Sequence, residues 1–163
     1  MRYILIFTLL LVSQNLYAQD KPAYRLFDSS GKQVLFADMI GDLASSDIIL
    51  FGEYHNNPIS HWLQLETARE LGSDGRLVMG AEMFERDNEE ALQLYLKGEI
   101  TAGGLDSMAR LWSNYKTDYA PLVNFAKENG IGFHATNIPR RYASMVARGG
   151  FFALDTISPE EHN

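Results

Sequence analysis

Two short apolar runs, Ile48-Ile49-Leu50-Phe51 and Leu77-Val78-Met79, each end in a glycine-led acidic motif. The first continues as Gly52-Glu53-Tyr54-His55, the second as Gly80-Ala81-Glu82. A continuous apolar run bounded by polar residues predicts a strand buried on both faces of a sheet. Between the runs, Asn57 is placed to cap a helix, and Pro58 suits a first turn where its missing N–H is no loss. The helical pattern runs to Leu71, with Ile59, Trp62, Leu65, Ala68 and Leu71 near one stripe and Gly72 as the stop. Strand, helix and strand then form a unit with parallel strands, which end at the same edge. Glu53, His55 and Glu82 are expected to project into one crevice outside the carboxyl ends of those strands, where open α/β sheets hold ligands.

The remaining pattern extends this picture. Ala23–Phe27 and Lys32–Phe36 flank the turn cluster Asp28-Ser29-Ser30-Gly31 and predict a β-hairpin. Helical spacing is expected over Ala37–Ala44, Asp87–Lys97, Tyr119–Asn129 and Pro139–Ala147, with Gly98, Gly130 and Gly149-Gly150 as stops. Ala102–Tyr115 is less regular: Gly103-Gly104 is expected to break it, while Met108, Leu111 and Trp112 suggest a further helix. Ile131–Thr136 is the third expected strand. The fold class is therefore α/β, a mostly parallel sheet flanked by helices, with an N-terminal β-hairpin. Ser158-Pro159-Glu160-Glu161 reads as the start of another helix, and so few strands leave a sheet edge unpaired. The expectation is an incomplete domain, the N-terminal portion of a longer one.

The first residues stand apart from that fold. Arg2 precedes an apolar run from Tyr3 to Val12, and Leu16-Tyr17-Ala18 offers a small residue at a cleavage point. Residues 1–18 are read as a signal peptide and residues 19–163 as the mature domain, exported to the periplasm or the exterior. The chain has no cysteine, so it holds neither disulfides nor thiolate metal sites, and no cysteine-linked lipid anchor. A net charge of −7 argues against a nucleic-acid partner, and the expected protein is soluble.

Several residue types in this pattern bear chemistry. Glu53 and His55, two apart in extended backbone, face one side. A carboxylate and an imidazole so placed suit a general acid/base pair, two ligands of a divalent metal, or a carboxylate that fixes an imidazole tautomer. Glu82 would add a second carboxylate; a polar edge without chemistry is the bland alternative. Arg140, at a helix start where cations are unusual, could pair with the glutamates, receive an anionic group, or point to solvent. His61, near the beginning of the helix after the motif, could face the crevice, although a satisfied or solvated histidine is the commoner case. His134 is expected to be a core residue with one hydrogen bond. Tyr54, Tyr95, Tyr115 and Tyr119 could each bind a haem iron as phenolates, though any one of them is more often a packing residue. No nucleophile elbow, phosphate loop or dinucleotide fingerprint is present.

Taken in order, Phe51-Gly52-Glu53-Tyr54-His55-Asn56-Asn57-Pro58, Gly80-Ala81-Glu82-Met83-Phe84-Glu85-Arg86, Tyr119-Ala120-Pro121-Leu122 and Ala135-Thr136-Asn137-Ile138-Pro139-Arg140 resemble the ChaN-like family. That family binds haem in bacterial iron uptake, within the superfamily of Tiki-type metalloproteases and erythromycin esterases. The resemblance implies an exported haem-binding protein that serves iron acquisition and holds its ligand at a dimer interface. By position, Glu53, His55, Glu82 and Arg140 match the family pattern, and Tyr54 and His61 join them as cofactor-binding candidates. A tyrosine or histidine would supply an axial ligand, and arginine or helix N–H groups would hold the propionates. The partners implied are haem, a second copy and outer-membrane uptake machinery. The alternative is a hydrolase in which Glu53, His55 and Glu82 bind a divalent metal or activate water directly. The resemblance also implies a later histidine region that completes the crevice, expected beyond Asn163, while the lipid-bearing cysteine of some family members has no counterpart among these residues.

Overall fold

The computed structural model describes residues 22–158. The expected signal segment, the bulk of the Ser158-Pro159-Glu160-Glu161 signature and His162 lie outside them. The chain divides after Leu43 into two compact units, taken in turn.

In the first unit, β1 (Leu26–Phe27) pairs antiparallel with β2 (Gln33–Val34), Leu26 opposite Val34. The hairpin is tied at its turn. Asp28 accepts hydrogen bonds from the Ser30 hydroxyl at 2.6 Å, the Ser30 N–H at 2.9 Å and the Lys32 N–H at 3.0 Å. The Ser30 and Lys32 donors hold its carboxyl below the ordinary range. Gly31 closes the turn at φ +82°, a conformation that suits glycine. Helix α1 (Phe36–Leu43) follows as expected.

The second unit begins with an irregular segment and α2 (Pro58–Leu71), whose cap is the expected one: Asn57 accepts from the Ile59 and Ser60 N–H groups. Strand β3 (Val78–Glu85), a 3-10 turn (Arg86–Asn88), α3 (Glu89–Leu96) and α4 (Ala102–Met108) come next. A π-helical turn (Tyr115–Tyr119) leads into α5 (Ala120–Asn129), then β4 (Gly132–Asn137), α6 (Arg140–Gly149) and a 3-10 turn (Phe151–Thr156). Helix α4 runs through Gly103-Gly104 instead of breaking there. The Thr101 hydroxyl caps it by accepting the Gly104 N–H, and buried Leu105 holds the turn on the core.

Strands β3 and β4 are parallel, from Val78 opposite Gly132 to Ala81 opposite Ala135, with a register shift before Glu85 meets Asn137. Phe84, Leu92, Leu105, Val123 and Phe133 are fully buried in one cluster with Met83, Tyr115, Tyr119 and Ala126. Each large side chain so placed contributes roughly 1.5–3 kcal/mol of transfer free energy.

Three expectations are corrected. Ile48–Phe51 is not a strand: it joins no ladder, and Leu50 is 92% exposed. An apolar run gives a segment the means to be a strand, but the ladder needs a partner edge. The parallel pair is therefore β3 with β4, joined through α3, α4 and α5, and not the unit around α2. Second, β3 is not buried on both faces. Met79 and Ala81 pack inward while Val78, Gly80 and Glu82 face outward, until the register shift places Met83, Phe84 and Glu85 all in the interior. Third, His134 is not a core residue; it stands on the open face of β4, half exposed, its Nδ1 2.8 Å from Glu89.

Candidate functional site

The irregular segment before α2, the face of that helix, and the turn into α5 converge on one carboxylate. Glu53 is largely buried, and its Oε2 accepts from the Gln64 amide at 2.6 Å while its Oε1 accepts from the Tyr119 hydroxyl at 2.7 Å. Burial and the bond to Glu53 push the Tyr119 phenol well above its ordinary range, so it stays a neutral donor. His61 fills the space beneath, its side chain only 3% exposed. Its Nε2 lies 3.1 Å from the His55 carbonyl, an acceptor only, so Nε2 carries a proton. Its Nδ1 sits 3.0 Å from Glu53 Oε2 but off the line a hydrogen bond requires, which leaves that contact purely electrostatic. Asp118 lies 3.8 Å from Nε2 on the other side.

This buried cluster holds His55 in place. The His55 carbonyl accepts from His61 and from the Asn114 amide at 2.7 Å, and Asn114 also bonds Asp118 at 2.7 Å. The imidazole Nδ1 is 3.4 Å from Glu53, and the ring meets Trp112 edge-on at 4.8 Å between centroids. Trp112 in turn meets the ring of Tyr119, which meets that of His61. Yet the His55 side chain is 57% exposed. In the tautomer whose Nδ1 proton is directed at Glu53, Nε2 holds a lone pair for an external partner.

A second carboxylate stands at the end of β3. Glu85, buried at the end of β3, accepts from the Arg110 guanidinium at 2.9 Å and from the Arg140 N–H, the first of α6, at 2.6 Å. Arg110 also bonds Asp87 at 2.7 Å; Asp87 and Glu85 together raise its already high pKa. The Arg140 guanidinium approaches Glu85 only to 4.0 Å and is 80% exposed. Arg110 and Trp112 are two residues apart, about 7 Å along the chain at most. The step from Arg110 to Trp112 is the covalent link between the arginine-bearing carboxylate and the histidine-bearing one.

A family model described as haem-binding uptake, Tiki superfamily, ChaN matches residues 39–163. The chain belongs to this family. No curated protein and no solved structure gives a significant match. Haem brings its own equatorial nitrogens, and asks a protein of the ChaN family for an axial donor, apolar cover and cations. The residues fit that demand: a braced imidazole with a free lone pair, exposed Tyr54 beside it, and Arg140. Among the described residues no group of three or more histidine, aspartate or glutamate side chains is arranged to hold a bare metal ion.

Of the residues singled out in the sequence, Glu53, His55 and His61 meet. Tyr54 is adjacent and 80% exposed. Arg140 belongs with Glu85. Glu82 is exposed on β3 and, among the described residues, makes no hydrogen bond or ion pair with Glu53, His55 or His61. The sequence reading missed Gln64, Trp112, Asn114, Asp118, Glu85 and Arg110 as parts of the site, and took Tyr119 singly as a packing residue. A signal existed: His61 and Gln64 are three apart on one helix face, and Asn114 and Asp118 are four apart. The other tyrosines weighed as haem ligands are engaged elsewhere. Tyr95 donates to Asn124 at 2.7 Å, and Tyr115 is buried in the core, which raises its phenol well above the ordinary range.

Proposed function

We propose that this protein binds haem for iron acquisition, with His55 as the axial donor at an accessible rim. The observation that carries the reading is that His55 is braced on its backbone, at Nδ1 and on its ring, yet remains more than half exposed. Such a ligand loses little freedom on binding, because its rotamer and tautomer are already set. With haem bound, the His55 imidazole would donate a nitrogen lone pair to the iron, and Glu53 would hold the ring in place. Tyr54 offers an aromatic face beside it, and Arg140 a cation for a propionate. Export, a homodimer that closes over the ligand, and transfer to or from outer-membrane uptake machinery complete the reading. The hydrolase alternative needs Glu82 beside Glu53 and His55, and nothing in the geometry favours that grouping.

The test is a hemin titration followed at the Soret band. The wild-type protein is expected to give a saturable shift, and His55→Ala to weaken it at least about tenfold, the scale on which loss of a positioned metal ligand acts. Arg140→Ala should weaken binding less, with the band position retained. A titration that His55→Ala leaves unchanged removes the assignment.

A further inference from the structure

Beyond Arg140 at its start, the haem reading leaves α6 and the turn after it without a role. Helix α6 is hung from the body of its unit at its N-terminus, where buried Glu85 accepts the Arg140 N–H. Beyond that it packs chiefly on the 3-10 turn that follows it, and no residue of either element is buried. Its sequence is cleanly two-sided. At 100° per residue, Arg140, Arg141, Ser144 and Arg148 fall on one side and Tyr142, Met145 and Val146 on the other. Phe151 and Phe152 follow immediately and are 79% and 86% exposed.

Charge identifies what would cover this surface. The chain has net charge −7, yet no aspartate or glutamate occurs from Asn129 to Leu154, and α6 with the turn after it carries three arginines, Arg140, Arg141 and Arg148, against the single acid Asp155. A short helix with arginines on one side and apolar groups on the other, followed by exposed aromatic rings, has the composition of an interfacial element. No helix among the described residues is long and apolar enough to cross a membrane, so such contact lies in the plane of the surface. We propose that α6 and the turn Phe151–Thr156 dock this protein reversibly on an anionic lipid bilayer. Arg141 and Arg148 meet lipid phosphates, and Phe151 and Phe152 enter the headgroup boundary. One short helix gives weak binding that depends on salt and on anionic lipid.

The experiment is flotation of the purified protein with vesicles of phosphatidylcholine, with and without phosphatidylglycerol, at low and high salt. Partitioning is expected to be at least about tenfold stronger on the anionic vesicles, and to fall by a similar factor in high salt. Arg141→Glu with Arg148→Glu, and separately Phe151→Ser with Phe152→Ser, should each weaken it about tenfold or more. All of these side chains are exposed, so the melting transition should be retained, and it is read on the same samples. The hemin titration is run in parallel, because this proposal stands whether or not haem binds. Equal flotation on neutral vesicles, indifference to both double variants, or self-association through this face without vesicle binding would each overturn it.

Discussion

At the scale of single residues, close approach decides more than composition. Gly80 on β3 sits opposite His134, and a Cβ added there would lie 2.5 Å from the Thr136 Cγ2. Threonine is β-branched and stiff at χ1, so its methyl group has little room to yield. Gly80→Ala should therefore destabilise the protein by about 1–3 kcal/mol, as overpacking does. Thr136→Ser removes the offending methyl, so the double variant should recover most of the loss. Chemical denaturation of the four proteins in the cycle gives the coupling, and simple additivity would reject the explanation. The glycine was visible in the sequence only as the lead of Gly80-Ala81-Glu82. Its reason, a methyl group 56 residues further on, belongs to strand register and not to local pattern. Glu53 and His55 were legible because they lie two apart in one motif; Tyr119 and Asn114, which complete their cluster, come from beyond a crossover that no local spacing encodes.

Among the elements, those with caps and stops were read closely, and those defined by a neighbour were not. The Asn57 cap and Pro58 fix the start of α2 through local hydrogen bonds, so the sequence contains the whole cause. Ile48–Phe51 has the pattern of a strand without being one, because strand formation is a property of two segments. Strand β4 shows how an edge can instead be closed by side chains. The Ala135 N–H donates to Glu89 at 2.6 Å, the Phe133 carbonyl accepts from Gln93 at 2.8 Å, and the Ala135 carbonyl accepts from Arg86 at 3.4 Å. These groups lie in one stretch of turn and helix, Arg86 to Gln93, and occupy backbone positions another strand would use. The Glu89 carboxyl is held below its ordinary value of 4.5: burial works against the charge, but the bonds from Ala135, His134 and Gln93 together outweigh it. With the folded value depressed, the stability Glu89 contributes is complete above pH 4.5 and lost as pH falls through the lower folded value. Glu89→Gln should lower stability at neutral pH by about 1–2 kcal/mol, the scale of a charge-assisted bond partly kept by the amide. It should also flatten the acid limb of the stability profile below pH 4.5, measured by urea unfolding across pH. An acid limb of unchanged slope would assign the acid sensitivity to other carboxylates.

For the molecule as a whole, the contrast between the two strands of the parallel pair sets how it meets its surroundings. Side chains block the outer edge of β4, whereas β3 pairs with no strand but β4 among the described residues. The strand-like segment Ile48–Phe51 carries apolar side chains into solvent only a few residues before Glu53 and His55. Exposed apolar groups beside a candidate ligand rim mark a surface for association. A second copy placed there would cover Ile48, Leu50 and Tyr54 and, on the haem reading, one side of the macrocycle. Leu50→Lys tests this directly. Leu50 is 92% exposed, so the substitution should leave the melting temperature within about a degree, as surface changes usually do. If copies associate through this segment, sedimentation velocity should show the variant shifted toward monomer, and hemin affinity should fall with the lost enclosure. A fall in affinity without a change in association would instead mean that Leu50 covers the ligand within a single chain. An unchanged sedimentation profile and titration would leave this apolar segment with no part in either process, and the rim would have to bind haem by His55, Tyr54 and Arg140 alone.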